Sequence, residues 1–137
     1  MDLVELITNS VSILTNDNDF YISELIIDEN NFGNIVVILK SNYGICVRFI
    51  KDRGDCWSEI GFLNEWYFLE DVCCAIGINI VPSSTDLEKM ITDLSHLIKK
   101  NMLLIIKSFD AKNHKKTQAK IKEIARKRAM NMFDLDQ

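Results

Sequence analysis

The sequence contains a single proline, Pro82, and only five glycines in 137 residues. Polyproline, collagen-like and low-complexity linker architectures are thereby excluded. Long apolar runs are also missing. The longest, such as Ile35 to Leu39 and Met102 to Ile106, have five residues, against the twenty or so that a membrane-spanning helix requires. The opening Met-Asp-Leu-Val-Glu places acids where a secretory leader would carry bases, so the expected location is the cytoplasm, where thiols stay reduced.

Reactive and metal-binding patterns are equally scarce. The four cysteines, Cys46, Cys56, Cys73 and Cys74, form no Cys-x-x-Cys pair, and His96 and His114 are the only histidines, so zinc-ligand spacing is absent. Adjacent Cys73 and Cys74 read as small buried hydrophobes. His96, among Leu94, Leu97 and Ile98, reads as a hydrogen-bonded structural residue, and His114 as a solvated one. No phosphate-binding glycine loop, nucleophile elbow, His-Glu-x-x-His or dinucleotide fingerprint occurs. The expectation is a protein without catalytic residues, metal or cofactor.

What is present is an ordinary globular composition, 47% apolar and 26% charged, of a length that suits a single domain covering residues 1–137. The net charge of −4 hides a polarised chain. Residues 1–96 carry 16 acids and 5 bases, whereas residues 97–137 carry 4 acids and 11 bases. Such asymmetry marks either mutual docking of the two parts, simple solvation, or a charged partner.

Hydrophobic spacing orders the chain. Leu3, Leu6, Ile7, Val11 and Leu14 recur at helical intervals behind Asp2, a suitable cap, and Asn16 to Asp19 end that helix. Four strand-like segments follow at 20–28, 34–41, 45–51 and 56–62. Their connections, Glu29 to Gly33, Asn42 to Gly44 and Asp52 to Asp55, are too short for parallel crossovers, so an antiparallel meander is expected. In the third strand both faces are mostly apolar except at Arg48, which calls for at least partial cover on both sides.

Residues 65–76 place Trp66, Leu69, Val72, Cys73 and Ile76 on one helical face, with Gly77 as a left-handed cap. Thr85 and Glu88 form a capping box that starts a long helix running to about residue 108. A last helix, 111–133, carries a broad arc of lysines and arginines, with Arg128 alone interrupting its apolar side. The expected fold is therefore α+β: an N-terminal helix, a four-stranded antiparallel sheet, then two or three C-terminal helices packed on the sheet.

Three partner classes fit these features. The basic helix 111–133 offers phosphate contacts for a nucleic-acid-associated or phage-type accessory role. Its lysine-rich, aromatic-free face and the pI of about 5.1 argue against nucleic acid. A self-associating scaffold would use Phe109, Met130, Met132 and Phe133. The third class rests on the hairpin tip, where Asp52, Arg53 and Asp55 stand beside Trp57 and Glu59, a mixture of interface-favoured types and steering carboxylates. Arg53 alternatively pairs locally with Asp52 or Asp55. Asp17, Asp19, Asp28 and Glu29 are placed to extend the same acidic surface.

The stretch Tyr43-Gly44 through Asp52-Arg53-Gly54-Asp55 to Trp57-Ser58-Glu59-Ile60, followed by Trp66-Tyr67-Phe68-Leu69-Glu70-Asp71-Val72 and a helix ending at Gly77, resembles small bacterial immunity proteins of contact-dependent inhibition and related polymorphic toxin systems. The likeness covers about residues 43–77. It implies a non-catalytic cytoplasmic inhibitor that binds a cognate toxin C-terminal domain, often a nuclease, and covers its active site by an acidic surface against a basic cleft. The residues it suggests for the contact are Asp52, Arg53, Asp55, Trp57, Glu59, Glu70 and Asp71. The strongly basic C-terminal part departs from a simple acidic inhibitor.

Overall fold

The computed structural model describes residues 2–30, 33–80 and 86–135, with side chains through residue 132. Asp2 accepts the Glu5 amide at 2.8 Å and starts α1 (Leu3–Ser10). The chain passes through Val11 into the short α2 (Ser12–Thr15), so the single helix expected over 3–15 is two pieces. Both bury one stripe, Ile7, Val11 and Leu14.

The sheet has five strands rather than four, β1 (Phe20–Asp28), β2 (Asn34–Ser41), β3 (Ile45–Asp52), β4 (Asp55–Phe62) and β5 (Glu65–Phe68), each antiparallel to its neighbours in chain order. The fifth strand occupies the first residues of the segment expected to be helical. Leu63 and Asn64, both with positive φ (51° and 65°), reverse the chain between β4 and β5. A left-handed leucine is costly, by about 1–2 kcal/mol, and without a glycine this turn carries no ordinary hairpin signal. By contrast Arg53 and Gly54, with φ of 53° and 91°, form the glycine-containing two-residue turn between β3 and β4.

Period-two alternation divides the sheet into unlike faces. Ile35, Val37 and Leu39 of β2, Ile45, Val47 and Phe49 of β3, and Ser58 and Ile60 of β4 are buried on one side. The helices cover that side. α3 (Leu69–Ile76), closed by Gly77 at φ 81°, contacts β4 and β5, and α4 (Leu87–Lys100) contacts β4, α1 and α2. Ile91, Leu94 and Ile98 of α4 join the sheet residues in one core cluster. A fully buried aliphatic side chain contributes about 1.5–3 kcal/mol.

Four helices follow the sheet, one more than expected. The long helix expected to about 108 breaks at Asn101, whose side-chain amide donates to the Leu97 carbonyl at 2.9 Å. α5 (Met102–Ser108) then begins. Helix α4 is capped by Asp86, which accepts the Lys89 amide; Thr85 of the expected capping box lies outside the described residues. The last helix, α6 (His114–Leu135), docks on α3 through its first half, where Ile121 and Thr117 are buried.

Ion pairs join the acidic and basic parts. Lys99 binds Asp17 and Asp19 at 2.9 and 2.8 Å, Lys122 reaches Glu65 at 3.5 Å, and Arg128 pairs with Asp71. Docking thus accounts for part of the charge asymmetry. It also explains Arg128 on the apolar side of its helix, since the helix turns that residue toward a buried carboxylate.

Several individual expectations are corrected. Cys73 is buried but Cys74 is exposed, because neighbours on a helix point about 100° apart. His96 is exposed on α4. His114 is half-buried, 5.5 Å from the Phe62 ring and 3.4 Å from Gln118. Phe109 is an internal residue whose ring is tilted against that of Phe62, centroids 5.2 Å apart, and so is not available to a second copy; Met130 and Met132 are exposed, and the side chain of Phe133 lies outside the described residues.

Candidate functional site

Among the described residues no helix lies across the opposite face of the sheet; Arg128 of α6 reaches its β5 edge, 5.2 Å from the centre of the Phe68 ring. The residues that alternate with the core positions face outward there: Tyr21, Glu24 and Ile26 of β1, Val36, Ile38 and Lys40 of β2, Cys46, Arg48 and Ile50 of β3, Trp57, Glu59 and Gly61 of β4, and Trp66 and Phe68 of β5. Tyr21, Ile26 and Phe68 are 53%, 52% and 42% exposed, and most of the others are half-buried by one another. The strands read as apolar on both sides, yet only one side is covered. Aromatic and aliphatic groups here alternate with Glu24, Lys40, Arg48 and Glu59, and exposed apolar groups rimmed by polar ones are a common mark of an interaction site.

Its centre is a fixed constellation across β3, β4 and β5. Arg48 and Glu59 are directly opposite in the register, and the guanidinium donates twice to Glu59 Oε1, through Nε at 2.7 Å and through Nη2. The Trp57 indole N–H donates to Glu59 Oε2 at 3.3 Å. The Arg48 guanidinium lies 4.1 Å from the centre of the Trp66 ring, a cation–π contact. Trp66 in turn lies against Gly61, its register partner, where no Cβ intervenes. Arg48, Glu59 and the two tryptophans therefore hold one another in place.

Two different ends flank this centre. Toward the β2–β3 and β4–β5 turns, Tyr21, Lys40, Cys46, Gly61, Leu63 and Trp66 line a concavity of about 470 Å³. At the other end, the register brings Asp28 beside Asn34 and the β3–β4 tip alongside, with the Arg53 amide donating to Asn34 Oδ1 at 2.9 Å. Asp28, Glu29, Asp52 and Asp55 are all exposed at this end. Arg53 Nε is 3.9 Å from Asp52, a loose and solvated pair worth about 0–1 kcal/mol. Asp17 and Asp19 lie at the opposite end, tied to Lys99.

Of the residues singled out in the sequence, Trp57 and Glu59 sit together on the open face, and Asp52, Arg53 and Asp55 form its acidic tip. Glu70 is exposed in the first turn of α3, apart from that face. Asp71 is 5% exposed and engaged by Arg128, so it holds α6 rather than facing outward. Sequence reasoning missed Arg48, Trp66, Tyr21, Ile26 and Ile38 as members of one surface. The available signal was the apolar character of both faces of β2 and β3.

Thiol chemistry has no support from the surroundings. Burial pushes the Cys46 and Cys56 thiols up and raises Cys73 to about 11, away from the thiolate that a nucleophile needs. Among the described residues no group of three or more His, Cys, Asp or Glu side chains is placed to hold a metal ion, and no helix is long and apolar enough to cross a membrane. Comparison with protein-family models, with curated proteins and with solved structures yields no match to this chain.

Proposed function

We propose that the protein is an immunity-type inhibitor that neutralises a toxin domain, a nuclease by preference, by stoichiometric occlusion in the cytoplasm of the producing cell. The observation that carries the reading is the helix-free sheet face, with Trp57 and Trp66 ordered around the Arg48–Glu59 pair and a carboxylate-rich tip at one end. Ordered aromatics and arginine are the residue types that dominate binding energy at protein interfaces. The exposed acids at the tip supply long-range attraction toward a basic, phosphate-binding cleft, and such steering raises association rates to about 10⁸ M⁻¹s⁻¹ or more at low salt. The resemblance of residues 43–77 to immunity proteins falls on β3, β4 and β5, which carry Arg48, Trp57, Glu59 and Trp66 on this face, and on α3, which packs on the other side of the sheet.

The test is co-expression with the toxin C-terminal domain encoded immediately upstream. The expected result is a one-to-one complex that survives gel filtration and restores growth. Separate elution of the two proteins with growth still arrested rejects the reading.

A further inference from the structure

On the other side of the molecule a groove opens between α3, α5 and α6. It has a volume of about 390 Å³ and is lined by Ala75 and Ile76 of α3, Leu104, Lys107 and Ser108 near the end of α5, Asn113, and Lys116, Thr117 and Lys120 of α6. Three lysines from two helices thus line one depression, together with the aliphatic side chains of Ala75, Ile76 and Leu104. Lys116 and Lys120 also line an adjoining shallow apolar groove, together with Cys74, Ala75, Ala119, Glu123 and Ile124.

The hydrogen-bonding inventory of the groove is one-sided. The Thr117 hydroxyl donates to the Ser108 carbonyl at 2.6 Å, the Ser108 hydroxyl to the Leu104 carbonyl at 2.7 Å, and the Asn113 amide to the Lys107 carbonyl at 3.2 Å. These donors are occupied within the chain. Among the described residues Lys107, Lys116 and Lys120 take part in no ion pair, and Glu123, which lines the adjoining groove, is held by Arg126 at 2.6 and 3.1 Å. What remains is three exposed cationic donors, which water satisfies in the free protein and which an acceptor-rich anion can bridge. Like charges gathered in one depression also repel, a cost that a bound anion removes.

We infer that this groove binds a small oligophosphate-bearing ligand, its phosphates on Lys107, Lys116 and Lys120 and its apolar body on the aliphatic surface beside Ile76 and Ile124. The volume suits a small molecule. Among the described residues the lining contains no aromatic side chain on which nucleic-acid bases would stack, and its three lysines border a single depression. The inference is independent of toxin binding, which uses the opposite side of the sheet.

Isothermal titration of the full chain with tripolyphosphate at low salt tests it, with orthophosphate and a thymidine oligonucleotide lacking terminal phosphates as comparison probes. The expected result is one-site binding of tripolyphosphate, tighter than either comparison, weakened about tenfold by each of Lys107→Ala, Lys116→Ala and Lys120→Ala. Removing Lys89, Lys100 and Lys127 together, all exposed and outside the groove, is expected to change affinity less than any one of those. Absence of binding, equal losses in the two sets of variants, or tighter binding of the oligonucleotide would each overturn the inference.

Discussion

Trp66 lies flat on Gly61, so close that a Cβ at residue 61 would stand 2.8 Å from its Cζ3 atom. The glycine is there for proximity and not for a positive φ. An aromatic ring covering a strand glycine restores packing that the missing side chain would forfeit, and here it also sets the height at which Arg48 stacks.

Gly61→Ala is therefore expected to lift the ring off β4 and destabilise the fold by about 1–3 kcal/mol. Urea denaturation of Gly61→Ala, Trp66→Leu and the double variant checks this. The two changes should be strongly non-additive, the double variant recovering part of the loss. Additive effects would mean that the ring and the glycine do not act together.

Asp71 is buried against a half-exposed Arg128, and its loss of that partner leaves a carboxylate in a poor environment. Arg128→Ala is expected to cost about 1–2 kcal/mol and to speed amide exchange over the second half of α6. Asp71→Asn in the Arg128→Ala background should return part of the stability. Unchanged exchange would show that α6 is held by Ile121 and Thr117 alone.

Among the described residues, the interior hydroxyls Ser58 Oγ on β4 and Ser95 Oγ on α4 have no hydrogen-bond partner. Replacing either by alanine removes an unpaired polar atom at almost constant shape. Each change is expected to raise stability by about 0.5–1 kcal/mol, read as a shift of the urea midpoint at constant slope. A loss of that size would show that the hydroxyls have partners in solution.

The Tyr67 hydroxyl receives the Gln118 amide at 2.9 Å and donates to Glu65. Burial and the neighbouring carboxylate push it from its ordinary 10.0 up to about 12. Above pH 10 the unfolded chain releases a proton that the folded chain keeps. Its contribution is complete below pH 10 and falls away as pH rises toward 12. Glu65 runs the other way: the Tyr67 hydroxyl and Lys122 hold it below the ordinary 4.5, so its contribution is present above that value and lost on acidification. Tyr67→Phe should flatten the alkaline loss of stability relative to the wild type, and Glu65→Gln the acid loss. Parallel curves would remove this network from the pH response.

For the proposed toxin complex, Asp52→Lys with Asp55→Lys should slow association and flatten its salt dependence while leaving dissociation nearly unchanged, because both acids are exposed at the rim. Trp57→Ala should act instead on dissociation, by about 2 kcal/mol or more. Stopped-flow kinetics at several salt concentrations separates the two. Unaltered kinetics in both variants would move the interface away from this face.

Much of the fold is legible locally. The Asp2 cap, the first four strands, the Arg53-Gly54 turn and the Gly77 cap each follow from a short-range chemical preference, and the structure has all of them. The misses are places where long-range contact overrides such preferences. Residues 65–68 have helical spacing, yet Trp66 finds Gly61 and Arg48 across the strands, and the unusual Leu63-Asn64 turn makes that pairing reachable. Asn101 interrupts a well-patterned helix by bonding to its own preceding turn. At the candidate site, Trp57, Glu59 and the acidic tip were readable because they are close in sequence. Arg48 and Trp66 join them only through strand register, and the fate of Asp71 was hidden because Arg128 lies 57 positions away.

Every strand pairs with the strand next to it in the chain, which has a kinetic consequence. Successive hairpin closures can build the sheet without any long loop having to close first, a route that favours rapid folding. During synthesis, however, residues 20–68 emerge before α4 exists to cover them. Ile35, Val37, Phe49 and Ile60 then face solvent until Met90, Ile91 and Leu94 arrive. The nascent chain passes through a stage in which only α1, α2 and α3 are on hand to cover the core side of the sheet, and that stage, more than the finished protein, is where aggregation competes with folding.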